Sequence, residues 1–251
     1  MKLILSPTKT MDFNLKKHGT ANESGMGLPQ FDREAGKLNQ TLKSLDLAGM
    51  KKLFKTSDAL TQKTHDQIHG FETAETGPAL FVFQGEAFKT LCPMDFTQNQ
   101  MDFAQAHLRI FSGLYGVLAP LDLIKPYRLD FNTPLAVDNM GLKKFWQKKI
   151  IPYFESLVEP DEPIINLASD EYSKTLSSPG LKERLITLQF REKSGNKLKN
   201  ISVRAKQARG FFARKIIQDK IYQPDDIKHL CVEGYTYSQT GSTSAEWFFI
   251  R

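Results

Sequence analysis

The sequence predicts a single α/β domain over residues 1–251, a mixed β-sheet surrounded by helices. Three observations carry this. Strand-like and helix-like segments alternate to both ends of the chain. No internal repeat or low-complexity linker divides it. Apolar residues make up 40% and charged residues 25%, near globular averages, and 18 Phe supply bulky material for one large core.

Lys2–Leu5 reads as a buried strand, ended by Ser6-Pro7. Residues 14–29, with Gly19, Gly25, Gly27 and Pro29, read as a mobile loop. Phe31, Ala35, Leu38, Leu42 and Leu45 share one helical face. A second helix is predicted over 49–70, ending near Gly70. Ala79–Phe83 reads as a short apolar strand and Gly85–Leu91 as a helix. Met101, Ala104, Leu108 and Phe111 recur at helical spacing, which predicts a helix over 97–112. Phe145 and Trp146 fall in another over 142–157. Ile164–Ala168 is a strand, with Ser169 placed to cap a short helix after it. Residues 184–191 and 198–203 read as a hairpin around Ser194-Gly195-Asn196. A helix over 204–219 and aromatic strands near 231–237 and 246–250 complete the chain.

Charge is concentrated. Lys+Arg is 34 against 28 Asp+Glu, a net +6 that favours a polyanionic partner. Residues 191–220 alone hold ten basic and two acidic residues, a net +8, so the remainder of the chain is slightly acidic. A local excess is the pattern of a docking surface, against the plainer reading of a solvated basic face. Cys92 and Cys231 lie far apart with no CxxC, which excludes a disulfide framework and a Cys-only zinc site and points to a reducing cytoplasm. The apolar stretch at the N-terminus is too short for a signal peptide, and no window approaches the ~20 apolar residues of a membrane span. The expectation is a cytoplasmic protein with no membrane partner.

Two strand-to-loop junctions offer hydroxyls and charge: Leu5-Ser6-Pro7-Thr8-Lys9-Thr10, and Asn166-Leu167-Ala168-Ser169-Asp170-Glu171-Tyr172. In open α/β sheets ligands gather beyond the carboxyl ends of strands. Neither junction has P-loop spacing, and turn or cap chemistry explains either one alone equally well. The run Phe111-Ser112-Gly113-Leu114-Tyr115-Gly116-Val117-Leu118-Ala119-Pro120-Leu121-Asp122 follows an amphipathic segment and suggests a helix–hairpin–helix. In that motif glycines let backbone approach phosphate oxygens, whereas a plain glycine helix cap is the simpler reading. Pro126-Tyr127-Arg128 then sets an aromatic beside a guanidinium, suited to a base and phosphate or to an ordinary ion pair.

On the helix over 204–219, Ala205, Ala208, Phe212 and Ile216 share one face. Arg209 falls within that face's edge and Lys206 at its margin, while Arg204, Arg214 and Lys215 lie on the polar side. An inward arginine must be paired. An internal ion pair with Glu171 or Asp170 is favoured slightly over a ligand pocket. His65 and His69 are four apart on a helix, yet no third metal ligand is identifiable, so a solvated face is expected.

Taken in order, these strings resemble the YaaA family of bacterial peroxide-stress proteins. The match includes Ser6-Pro7-Thr8-Lys9-Thr10, Phe103-Ala104-Gln105, His107-Leu108-Arg109, Ser112 to Leu118, Pro120-Leu121-Asp122 and Pro126-Tyr127-Arg128-Leu129. It continues through Asn166 to Tyr172, Lys206-Gln207-Ala208-Arg209-Gly210 and Glu233-Gly234-Tyr235. The resemblance implies a cytoplasmic, cofactor-free protein of one compact α/β domain. It associates the family with hydrogen peroxide stress, limitation of free iron and of oxidative DNA damage. It also implies sequence-independent binding of duplex or branched DNA through a basic cleft and a hairpin at Ser112–Leu118. Ala119 stands where the family often has a basic residue, Phe88 where Tyr is frequent and Phe131 where Met is frequent.

Two classes of function follow for an expected monomer without cofactor or metal. As a DNA-binding protein it would use Ser112, Gly113, Leu114, Tyr115, Gly116, Arg128, Lys206, Arg209, Arg214 and Lys215. As an enzyme on a nucleotide or damaged base it would use a pocket of Ser6, Thr8, Lys9, Arg128, Ser169, Glu171, Tyr172 and Lys206. Lys9, Glu171 and Arg209 are then the catalytic candidates, with Glu171 as acid or base.

Overall fold

A computed structural model describes residues 1–14, 25–195 and 197–251. Most of the predicted loop over 14–29, and Asn196 of the predicted hairpin, lie outside the described residues. In chain order the elements begin with β1 (Lys2–Leu5), α1 (Asp32–Lys43), α2 (Leu47–Phe54) and α3 (Asp58–His69). Then come β2 (Gly77–Pro78), α4 (Ala79–Val82), α5 (Glu86–Leu91), α6 (Gln98–His107), β3 (Leu108–Ser112), β4 (Gly116–Leu118) and β5 (Leu123–Ile124). Next are β6 (Ala136–Val137), β7 (Met140–Gly141), α7 (Leu142–Leu157), β8 (Ile164–Leu167), α8 (Asp170–Ser173) and α9 (Pro179–Glu183). The chain ends with β9 (Leu185–Ser194), β10 (Lys197–Lys199), α10 (Ser202–Gln218), β11 (Cys231–Val232), β12 (Tyr235–Ser238) and β13 (Glu246–Ile250).

Nine strands form one mixed sheet in the order β11-β12-β13-β9-β8-β1-β3-β4, with β10 paired to β9. The five central strands from β13 to β3 are parallel. The outer strands are antiparallel. Buried on both faces, the central strands read as unbroken apolar runs, as Leu3, Ile4 and Leu5 do at 0–1% exposure. β1 lies between β8 and β3, with Leu5 level with Leu167 and with Ile110. Sequence-adjacent sheet strands run from β1 to one side and from β8 to the other, so the sheet reverses its winding between these two neighbours.

Four local expectations are corrected. The predicted helix over 49–70 is two helices, because Lys55 turns left-handed at φ 51° and Ser57 caps a fresh start by accepting from the Leu60 N–H. Ala79–Phe83 is not a strand; Ala79–Val82 forms a helical turn closed by the Phe83 N–H to the Ala79 carbonyl. The predicted helix over 97–112 stops at His107. Leu108 is already extended and Leu108–Ser112 pairs with β1. The fourth is the helix–hairpin–helix. Ser112–Leu118 instead closes a β-hairpin, with Ile110, Phe111 and Ser112 opposite Leu118, Val117 and Gly116.

That hairpin is core. Every residue from Leu108 to Leu118 is buried. The indole Nε1 of Trp146 donates to the Gly113 carbonyl at 2.8 Å. The Ser112 hydroxyl bonds the Tyr127 hydroxyl at 2.7 Å and accepts from the Tyr115 N–H at 3.0 Å. A Cβ on Gly113 would lie 1.9 Å from the Leu129 carbonyl oxygen, so this glycine serves close backbone approach inside the protein. Gly116, at φ +70°, lies against the Trp146 ring. Its backbone offers no face to a phosphate.

Candidate functional site

β1 and β8 are neighbours, so the two loops singled out from the sequence leave the sheet side by side at its carboxyl edge. Where an open sheet reverses its winding, adjacent loops part and leave a crevice. Here the loops are tied at their bases. The Ser169 N–H donates to Ser6 Oγ at 2.8 Å, and Ser6 Oγ donates to Ser169 Oγ at 3.3 Å. Above them opens a cleft of about 520 Å³. It brings together Ser6, Thr8, Lys9, Ser169, Glu171, Tyr172, Lys206 and Arg209. Arg128 lies outside this cleft, in two adjoining hollows of about 210 and 420 Å³ that share Lys9 with it. The three form one trough.

α10 supplies the far wall. Its register depends on close approach to α5: a Cβ on Gly210 would meet the Ala87 carbonyl oxygen at 2.0 Å. Thr90 Oγ1 donates to the Gln207 carbonyl at 2.9 Å, and Gln207 Nε2 donates to Glu86 Oε2 at 2.7 Å. With Gly210 pressed against α5, Arg209 and Lys206 are delivered to the cleft. The expected internal ion pair is absent. Arg209 has no salt bridge among the described residues, and its Nε is buried without a hydrogen-bond partner. Glu171 instead accepts the Asn132 N–H through Oε1 at 3.1 Å, and Asp170 pairs with Lys174 at 2.8 Å. Burial lowers the Arg209 pKa, and the negative charge of Asp170 opposes that shift.

The floor holds a second network. Lys9 ion-pairs with Asp130, which also accepts the Tyr172 hydroxyl at 3.1 Å. Burial raises the Glu171 pKa, and the negative charge of Asp130 adds to the rise. The Tyr172 phenol is pushed up by burial and then by the same carboxylate.

Three other basic residues of the segment are ion-paired. Arg214 pairs with Asp95 at 2.6 Å, Lys215 with Asp219 at 2.8 Å and Arg204 with Glu192 at 3.5 Å. Arg214 and Lys215 do not line the trough. Sequence reasoning missed Asp130, although it follows Arg128 closely, and it missed Lys55 and Lys63, which also line the hollows. A break at Lys55 inside an apparent 22-residue helix is what hid the first of these. His65 and His69 stack at 4.1 Å with no metal cluster among the described residues.

The sequence matches the profile of the family described as peroxide stress protein YaaA over residues 1–241. The chain belongs to that family. A UPF0246 protein of Desulforapulum autotrophicum is 43% identical over all of this chain and 99% of its own length. Others from Clostridium perfringens, at 37%, and Rickettsia peacockii, at 33%, align over the full length of both chains. The YaaA profile thus spans both loops of the cleft and α10 together. No helix of the described residues is long and apolar enough to cross a membrane.

Proposed function

We propose that this YaaA family member acts in peroxide stress by binding DNA along the trough, without sequence preference, on duplex or branched forms. The binding limits oxidative and iron-dependent damage to the DNA it covers. The observation that carries the reading is Arg209: its side chain lines the cleft, makes no hydrogen bond or salt bridge among the described residues, and has a buried Nε without a partner, so an anion in the cleft would compensate its charge. Lys206 lines the same cleft, and Arg128, Lys55 and Lys63 line the adjoining hollows, none of them in a salt bridge among the described residues. Cations left free along one concave track suit successive phosphates, which are contacts of position and not of base identity. The buried Ser112–Leu118 turn takes no part.

Labelled duplex and four-way junction titrated at several salt concentrations test this. Affinity should fall steeply with salt, since each neutralised phosphate releases counterions. Arg209→Met should weaken binding by about tenfold or more. Its melting temperature should not fall, because no internal carboxylate loses a partner. Absence of binding at low salt, or affinity indifferent to salt, would rule the reading out.

A further inference from the structure

The walls of the main cleft differ from those of a phosphate track. A track for polyanions gains nothing from carboxylates, yet Asp130, Glu86 and Glu171 all line this hollow. Two of them have partners within the protein: Asp130 pairs with Lys9, and Glu86 pairs with Lys89 and accepts from Gln207 Nε2. Glu171 differs. It is half-buried, has no salt bridge among the described residues, and receives one backbone N–H on Oε1. Its other oxygen is left to the cleft. The hollow is therefore bipolar, with unpartnered cation on the α10 side and unpartnered acceptor on the α8 side. Between them lie Phe88 and Tyr172, at 3% and 5% exposure, with Leu5, Leu167 and Ala87. The lining mixes this apolar patch with many polar and charged groups that fix a ligand's orientation, and about 520 Å³ is within the usual ~300–1,000 Å³ of a small-molecule site. It lies at the reversal point of an open sheet, where such folds hold nucleotides.

We infer that the main cleft is a pocket for a single nucleotide, with the phosphate on Arg209 and Lys206 and the hydrogen-bond donors of its sugar or base on Glu171. The inference rests on the reading of the trough as a phosphate-binding track and names what the main cleft of that track takes. The ligand's chemistry is that of a nucleoside monophosphate. Its source is either a free nucleotide or one extruded from a bound strand, which the adjoining hollows with Arg128 would feed.

Two titrations separate the sources. In the first, each nucleoside 5′-monophosphate and inorganic phosphate are titrated calorimetrically against the wild type, Glu171→Gln and Arg209→Met, each checked for native melting. In the second, a duplex carrying 2-aminopurine in a mispair is added to the same proteins, and the fluorescence gain on unstacking is read. Duplex affinity is measured in parallel. A free-nucleotide pocket binds a nucleoside monophosphate at least about tenfold more tightly than phosphate, and Glu171→Gln removes that margin while leaving phosphate binding. A pocket for an extruded nucleotide shows instead a fluorescence gain that both substitutions abolish. If neither the margin nor the gain is seen while the duplex still binds, the pocket inference falls and the DNA reading stands. If the duplex fails as well, both fall. A margin or gain that survives Glu171→Gln also overturns the assignment.

Discussion

A guanidinium nitrogen that is buried and unbonded lowers the stability of the fold that holds it, and Arg209 is such a group. The surrounding structure tolerates it because the rest of α10's inward face, Ala205, Ala208, Phe212 and Ile216, is buried in the core. Helical spacing placed Arg209 at the edge of that face, and this much was legible. What spacing could not show was which carboxylate would be nearby. Glu171 sits on the opposite wall and is held by a backbone N–H, a contact set by the path of the chain at Asn132. Asp122 shows the same cost from the acidic side. Burial raises its pKa to about 6, although it accepts the Ala119 N–H at 2.9 Å. The folded protein then binds more protons than the unfolded chain between about pH 4 and 6, so the Asp122 contribution to stability falls as pH rises through that window. Asp122→Asn should accordingly stabilise the protein by about 1–2 kcal/mol at pH 7.5 and by almost nothing at pH 4. Urea melts at the two pH values check this, and an equal effect at both would refute the assignment.

At the level of elements, the hairpin of β3 and β4 is where periodicity misled. Leu108 and Phe111 continue the helical spacing of Met101 and Ala104, and a strand buried on both faces has no alternation to oppose it. Two glycines three apart suit both a phosphate-facing turn and a tightly packed one. The distinction is testable through stability. Gly113→Ala must displace the Leu129 carbonyl and the indole bond of Trp146, and should cost about 3 kcal/mol in chemical denaturation. A solvent-facing turn would instead keep its stability and lose only DNA affinity. The Ser6 and Ser169 loops were legible because an apolar run followed by Ser, Pro or Asp marks a strand end in any fold. That they are neighbours was not, since strand order depends on pairings across 162 positions.

For the molecule as a whole, membership in a peroxide-stress family raises the question of thiol chemistry. Burial raises the Cys92 thiol pKa, and its hydrogen bond to Asp95 raises it further. The thiolate is the form that reacts with peroxide, and the nearby Arg214, which favours it, is outweighed by burial and Asp95. Cys231 is exposed, on the short outer strand β11. A Cys92→Ser, Cys231→Ser double variant should bind DNA with wild-type affinity before and after hydrogen peroxide treatment. A peroxide-induced change in wild-type binding that the variant lacks would assign the cysteines a switching role. The α/β class, the interleaved strands and the local basicity followed from composition and order. The free cations of the trough did not, because only packing reveals which basic residues keep a partner and which line one hollow.

The position of β1 has a consequence for how the molecule is made. β1, made before every other strand of the described residues, takes the third place from one end of the sheet, between β3 and β8. Its partner Leu167 is synthesised 162 residues after Leu5, and Arg209 later still. Non-local pairings of this kind are slow to form, and domains of this size commonly pass through partly assembled states. Lys2–Leu5 therefore remains an apolar strand with at least one edge unpaired until β8 is made, and the cleft it borders is among the last features to be completed.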